Sequence, residues 1–224
     1  MGDISPLTTL RAILLGGAAA PAGLVAAARA AGARVITTYG MTETCGGCVY
    51  DGVPLDGVSA RIGADGRVQI AGPVLFSGYR LAPDLTAAAL DGGWFISSDL
   101  GAFDGSGRLV VRGRADDVIN TGGEKVVAAE VAAAVESCAG VREVVVVGRP
   151  DREWGERVTA VVVPADPLAP PDLGRLRAHV RESLPGSAAP RELVLVDAIP
   201  LLPNGKPDLA MLRREQSCTR SVTT

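Results

Sequence analysis

Only two of the 22 basic residues in this 224-residue chain are lysines, Lys125 and Lys206. The rest are arginines, so a lysine kept at either position can act as a compact point charge, a role the planar guanidinium fills poorly. Lys206 stands in Pro203-Asn204-Gly205-Lys206-Pro207. Prolines on both sides stiffen a loop with the lysine at its tip, which is one way to bring a positive charge to a phosphoryl or carboxylate centre. An exposed loop-tip lysine can equally be solvated and nothing more. Thr37-Thr38-Tyr39-Gly40-Met41-Thr42-Glu43-Thr44 gathers an aromatic face, hydroxyls and a carboxylate within a few residues. An aromatic can stack a base, a hydroxyl can meet a phosphate, and a lone carboxylate can hold Mg²⁺. The alternative is an ordinary polar exit from a strand. Asp99 closes the apolar run that begins at Gly93-Trp94-Phe95. It could accept from two ribose hydroxyls or simply cap a turn. Gly113–Lys125 mixes charges with glycines, a composition that suits either a hinge or a solvated loop.

Other chemistries are excluded by what the chain lacks. It has no Gly-x-x-x-x-Gly-Lys-Ser/Thr and no Gly-x-Gly-x-x-Gly phosphate loop. It has no Gly-x-Ser-x-Gly elbow, and its single histidine, His179, leaves little room for a Ser-His-Asp triad. Cys45 and Cys48 form a C-x-x-C, but no second pair accompanies them to complete a zinc site, so the pair reads as two small thiols in a glycine-rich turn. With 22 basic and 25 acidic residues the net charge is −3, too balanced for a nucleic-acid partner. Ala12–Ala28 is uncharged, yet glycines and Pro21 interrupt it and it is too short to span a bilayer, so neither a signal peptide nor a membrane span is expected. No Asn-x-Ser/Thr sequon occurs and the chain reads as cytoplasmic, with room for an oligomer.

The elements that must position these residues follow from pattern. Apolar residues make up 47% of the chain, and a chain this long buries roughly 70% of its unfolded surface. Aromatics are 4%, so the core is built from Ala, Val, Leu and Ile. Leu10–Leu15 predicts a buried strand, the Ala-rich stretch after Pro21 a helix ending at Gly32, and Arg34–Thr38 a second strand. Strand, helix, strand is an α/β layer, and ligands gather at the carboxyl ends of such strands. From Val58 to Arg112 short apolar runs, among them Val68–Ile70, Val74–Phe76 and Leu109–Arg112, alternate with Gly turns, which predicts antiparallel hairpins. After Lys125 an α+β unit is expected. Its helices are Val126–Cys138, with Val127, Val131 and Val135 on one face, and Asp172–Leu184, which carries His179 on its surface. Its strands are Val144–Val147, Val158–Val163 and Leu193–Val196. The domains are expected at 1–115 and 116–213, with a flexible tail over 214–224.

Taken in order, these segments resemble the adenylate-forming superfamily of acyl-CoA ligases, peptide-synthetase adenylation domains and luciferases. That family's Tyr-Gly-x-Thr-Glu stands here as Tyr39-Gly40-Met41-Thr42-Glu43, and its Gly-Glu-Leu-x-Ile-x-Gly as Gly66–Gly72. Its Thr-Gly-Asp is Ser97-Ser98-Asp99, keeping only the Asp; its Gly-Arg-x-Asp-Asp-x-Ile is Gly113–Ile119; its terminal Gly-Lys is Gly205-Lys206. The resemblance implies the end of a large adenylate-forming domain, with a partial sheet and a small β-subdomain, followed by a compact mobile α+β domain. It implies that Tyr39 and Gly16-Gly17-Ala18 flank the adenine, with Gly40 and Met41 beside the nucleotide. It implies that Thr42 meets the α-phosphate, Glu43 binds Mg²⁺, and Asp99 takes the ribose hydroxyls with Arg114 beside it. Asp116 is then the hinge, Lys206 the lysine of the adenylation state, and Gly123 and Lys125 the side turned toward CoA.

Within the superfamily, Gly46–Val58 and Ala188–Leu193 are most similar to actinobacterial o-succinylbenzoate–CoA ligases. This implies ATP, CoA and a small carboxylic acid, o-succinylbenzoate in menaquinone biosynthesis, as substrates. The family's Ser/Thr/Gly-rich phosphate loop has no counterpart before Leu10, so the chain reads as the C-terminal portion of a longer enzyme. The resemblance also admits an adenylation domain that loads a carrier protein, and a non-catalytic remnant of a truncated ligase.

Overall fold

The structure, a computed structural model, describes residues 5–18, 20, 22–214 and 221–223. Contacts divide the chain into two units, Met1–Arg112 and Gly113–Thr224. The boundary falls a few residues ahead of Ala115/Asp116 because the turn Ala115–Asp117 is bound into the second unit: Asp117 pairs with Arg213 at 2.8 Å.

After the 3-10 turn Ser5–Thr9 the first unit shows the expected order of strand, helix, strand. The buried strand expected over Leu10–Leu15 is only Ile13–Leu15, and it lies at the edge of its sheet with Leu14 62% exposed. Ile13–Leu15 runs parallel to Val35–Met41, joined by the helix Ala22–Ala30. Pro21, expected to start that helix, lies outside the described residues. The strand after the helix does not stop at Thr38 but carries Tyr39, Gly40 and Met41 as well, because Gly46–Tyr50 pairs antiparallel along its far end. Val53–Pro54 completes this four-stranded sheet. A five-stranded antiparallel sheet follows, built of Ser59–Ile62, Arg67–Ala71, Leu90–Asp91, Trp94–Phe103 and Leu109–Arg114. Val74–Phe76, read as a strand, is a turn instead: Pro73 offers no N–H to a ladder, and the Leu75 N–H bonds back to the Gly72 carbonyl. Val68 and Ile70 face a core shared with Cys48, Val49 and Leu109.

The second unit is a six-stranded sheet with both faces covered. Val141–Asp151 and Gly155–Pro164 form its long hairpin, and Glu192–Leu195 runs parallel to Gly155–Pro164. Along Gly155–Pro164 the side chains alternate: Val158, Ala160 and Val162 meet the helices Ala128–Glu136 and Leu173–Arg181, while Val161 and Val163 join Leu212 on the other side. Val131, Val135, Leu176 and Val180 are fully buried, as the helical spacing requires, and truncating one such leucine costs about 2–5 kcal/mol. Val127 lies just before its helix, as the N-cap residue, rather than within it. Asp172 caps the other helix, accepting from the Arg175 N–H at 2.9 Å. The tail departs from expectation at Ser221–Thr223, which pairs antiparallel with Glu192–Val194; residues 215–220 lie outside the described residues. No helix among the described residues is long and apolar enough to cross a membrane.

Candidate nucleotide-binding site

The carboxyl ends of two parallel strands bring the first group of residues together. Leu15 is paired with Thr37, so Gly16-Gly17-Ala18 leaves its strand beside Thr38 and Tyr39. A Cβ on Gly16 would run into the Thr38 hydroxyl, which explains a glycine at this close approach. Thr37, read among the candidate hydroxyls, is committed elsewhere: its N–H and its hydroxyl both donate to Asp51 Oδ1 at 2.9 Å. Burial alone would raise the Asp51 carboxyl, but these donors and the Arg29 guanidinium outweigh it and hold it below the usual carboxylate range.

Tyr39 is half-buried and its phenol donates to Asp99 Oδ2 at 2.8 Å. Burial, reinforced by the Asp99 charge, pushes this phenol far above the ordinary tyrosine value, so it remains a donor. Asp99 stands inside the strand Trp94–Phe103, not at its end. The buried Ser97 hydroxyl donates to the Val68 carbonyl at 2.7 Å and accepts the Asp99 N–H at 3.1 Å, which fixes the carboxylate's backbone.

Thr42 and Glu43 are delivered by the short 3-10 turn Thr42–Thr44. Thr44 is buried; its hydroxyl accepts the Met41 N–H at 2.9 Å and lies 2.7 Å from the Gly46 carbonyl. That bracing leaves Thr42 exposed and Glu43 half-buried. Gly40 is pinched against the Gly46 carbonyl with no room for a Cβ. Sequence reasoning missed Tyr79, whose phenol donates to Glu43 Oε1 at 2.8 Å. Tyr79 is itself placed by its N–H bond to Thr86 Oγ1 at 2.9 Å and by the edge of Phe76, 4.8 Å between ring centroids. Its local signal, an aromatic after Gly78 in a loop, says nothing about a carboxylate 36 residues upstream. Tyr79 engages one of the two Glu43 carboxylate oxygens, and a single carboxylate beside an exposed hydroxyl fits a cation that keeps water and phosphate as its other ligands.

The remaining candidates lie in the second unit. Arg114 and Asp116 pair with each other within one turn. Gly122 and Gly123, both at positive φ, make the two-residue turn of the hairpin Val118–Thr121 and Glu124–Val127. Lys125 stands opposite Asn120 in that hairpin and is exposed. Trp154 went unremarked in the sequence; a Cβ on Gly122 would come within 2.7 Å of its ring. Lys206 is exposed on a tight loop closed by the Leu202 N–H to Lys206 carbonyl bond at 2.7 Å and the bridge between Leu201 and Pro207. Cys45 is exposed and Cys48 buried in the apolar core, so the two thiols occupy unlike surroundings. His179 is a half-buried helix residue whose Nε2 lies 2.8 Å from the Ser137 hydroxyl.

Residues 2–80 match the AMP-binding enzyme family and residues 130–206 match the AMP-binding enzyme C-terminal domain. A probable 2-succinylbenzoate–CoA ligase of Mycobacterium tuberculosis is 49% identical over 212 residues, covering 93% of this chain and 55% of that relative. Among solved structures, the amide bond synthetase McbA of Marinactinospora thermotolerans is 35% identical at a TM-score of 0.84, covering 92% of this chain and 47% of that one. The o-succinylbenzoate CoA synthetase of Bacillus subtilis, solved with its acyl-adenylate intermediate, is 29% identical at a TM-score of 0.82, covering 93% of this chain and 47% of that one. The chain thus spans about half the length of the curated relatives it matches. With both domain types matched in order along one chain, and a relative 49% identical over 93% of it, the chain belongs to the AMP-binding enzyme family.

Proposed function

We propose that this chain serves an ATP-dependent acid–CoA ligase that first forms an acyl-adenylate and then a CoA thioester, with o-succinylbenzoate as the acid. The observation that carries the reading is the Tyr39–Asp99 hydrogen bond, which joins a carboxylate to an aromatic ring on the strand Val35–Met41 that leads into the Thr42–Glu43 turn, an arrangement that supports nucleotide binding. The identity of 49% to a probable 2-succinylbenzoate–CoA ligase supports the choice of acid, and menaquinone biosynthesis is the setting this implies.

A carboxylate is a poor electrophile, and attaching AMP to one of its oxygens makes that oxygen part of a good leaving group. In the first step a carboxylate oxygen attacks the α-phosphorus of ATP and pyrophosphate leaves. Tyr39 and Gly16-Gly17-Ala18 hold the adenine, with Gly40 and Met41 along its edge. Asp99 accepts the ribose hydroxyls with Arg114 at its side, and Thr42 donates to the α-phosphate. Glu43 would hold Mg²⁺, which when bound would supply charge neutralisation at the phosphates. Lys206 brings its ammonium to the bridging oxygens; removing such a preorganised charge costs about 10²–10³ in rate. In the second step the CoA sulfur attacks the acyl carbon and AMP leaves. The second unit pivots at Asp116, withdraws Lys206, and turns Gly123 and Lys125 toward CoA. ATP and CoA are substrates of the cytoplasm, where we place the reaction.

The test supplies the protein as encoded with ATP, Mg²⁺, CoA and a panel of carboxylic acids. Thioester formation from o-succinylbenzoate in preference to aromatic and fatty acids is expected. Thioesters from other acids only would overturn the substrate, and no acid-dependent ATP–pyrophosphate exchange would overturn the ligase reading. The likeness to an amide bond synthetase favours one rival, an amine as second nucleophile, which an amide product would reveal.

A further inference from the structure

The loop of Lys206 and the turn of Asp116 are separated by most of the second unit in sequence, yet one ion pair joins their neighbours. Arg213 Nη2 donates to Asp117 Oδ1 at 2.8 Å, across 96 residues of chain. Asp117 follows Asp116 directly in the turn Ala115–Asp117, and Arg213 lies in Leu209–Arg214, the helix that follows the Lys206 loop. Between Lys206 and Arg213 the chain has little slack. The Leu201–Pro207 bridge closes the loop, the Asp208 N–H donates to the Pro200 carbonyl at 2.9 Å, and Asp208 Oδ1 accepts the Met211 N–H at 2.9 Å. The helix is fastened to the unit independently: Leu212 is fully buried, and the buried Arg149 donates to the Leu212 carbonyl at 3.1 and 2.8 Å. Asp116, by contrast, pairs backward with Arg114.

We infer that Arg213 and Asp117 are positioning residues, a clasp that fixes the Lys206 arm to the first turn of the second unit, so that any pivot lies at Arg114–Asp116 and the arm moves as one body with Asp117. The function assigned to that motion rests on the ligase reading above; the clasp itself does not. The pair is 41% and 25% exposed, so its strength is modest and its consequence is geometric. Without it the helix stays attached through Leu212 and Arg149, while the turn and the loop relax independently.

The test compares the wild-type protein, Arg213→Ala, and the charge swap Asp117→Arg with Arg213→Asp. Amide hydrogen exchange is read at Val118, whose N–H bonds to the Ala115 carbonyl, and at Leu202 and Gly205 in the Lys206 loop. Arg213→Ala is expected to speed exchange about two- to five-fold at both places together, the change that losing such a pair allows, and the swap to restore both. Faster exchange at one place only, or a swap that restores neither, overturns the clasp. In the two half-reactions, Arg213→Ala should slow acyl-adenylate formation about two- to five-fold while sparing thioester formation from supplied acyl-adenylate, again with rescue by the swap. Equal loss of both half-reactions overturns the positioning role. If the wild-type protein makes no acyl-adenylate from any acid, the ligase reading fails instead, and the exchange measurements still decide the clasp.

Discussion

Tyr39 and Asp99 are 60 residues apart in sequence and joined by a 2.8 Å hydrogen bond in which the phenol donates to the carboxylate. The bond orients the carboxylate edge that the ribose hydroxyls are proposed to meet and holds the Tyr39 ring against the strand end. Asp99→Ala should therefore weaken AMP binding by about ten- to a hundredfold, the range for hydrogen bonds to a charged group. Tyr39→Phe keeps the ring and should cost only a few-fold. Calorimetric titration of both variants with AMP checks this, and an undiminished affinity in Asp99→Ala would remove the residue from the site.

The same pair makes a pH prediction. Burial raises the folded-state phenol of Tyr39 above its ordinary value near 10. The sign follows from linkage: the unfolded chain releases this proton first, so the contribution is intact below pH ~10 and is lost as pH rises beyond it. Stability should fall above pH ~10 more steeply in wild type than in Tyr39→Phe. Denaturant unfolding between pH 8 and 11 reads the difference, and parallel curves would mean that the phenol ionises freely in the folded protein.

Glu43 is braced by Tyr79, so two variants separate the carboxylate from its support. Glu43→Gln should lower acyl-adenylate formation by about 10²–10³ and raise the Mg²⁺ concentration needed. Tyr79→Phe leaves the carboxylate but frees its orientation, and should cost about five- to tenfold, the upper part of the range for an ordinary net hydrogen bond, because water can replace the phenol at this half-buried carboxylate. A Mg²⁺ titration of the adenylation half-reaction distinguishes them; an unchanged Mg²⁺ dependence in both would discharge Glu43 from cation binding.

How far the sequence reveals this arrangement depends on whether a feature is local. The alternation of Val158, Ala160 and Val162 against Val161 and Val163 is a period of two within one run, and it forecasts a strand buried on both faces. Val131 and Val135 announce a helix face in the same way. Val74–Phe76 has the same apolar texture as a strand, but Pro73 and the Gly72 turn decide it, and an apolar run alone carries no such information. The Tyr79–Glu43, Arg213–Asp117 and Arg149–Glu192 pairs join residues 36, 96 and 43 positions apart, the last from 192 less 149, and no spacing rule reaches across those intervals.

Glu192 sits among charges that the core excludes from water. It is 6% exposed, lies 3.4 Å from Arg149 and 3.2 Å from Arg157, and accepts the Thr159 hydroxyl at 2.9 Å. Glu192→Gln keeps the shape and removes the carboxylate that faces the buried Arg149 guanidinium, while Arg157 retains Asp151 at 3.9 Å. Breaking a buried pair from one side costs about 3–5 kcal/mol. Urea unfolding should show a loss of that order, and a change below about 1 kcal/mol would mean that water or relaxation compensates Arg149.

Cys45 and Cys48 share a short motif but differ in burial, so their variants should part company. Cys45 is exposed at a positive φ of 54°, on the turn that follows Thr44. Its sulfur meets water, and Cys45→Ser should leave stability and nucleotide binding unchanged. Cys48 is fully buried beside Val49, Val68 and Ile70, and burial pushes its thiol above the usual value, which keeps it a neutral apolar side chain. Cys48→Ser places a more polar hydroxyl there and should destabilise the first unit by about 1–3 kcal/mol, the cost of a poorly satisfied buried polar group. Cys48→Ala, which leaves a small void without a polar atom, should cost less. Thermal unfolding orders the three variants, and metal analysis of the purified protein supplies the second readout. Stoichiometric zinc lost equally in Cys45→Ser and Cys48→Ser would show the thiols acting together, contrary to their placement.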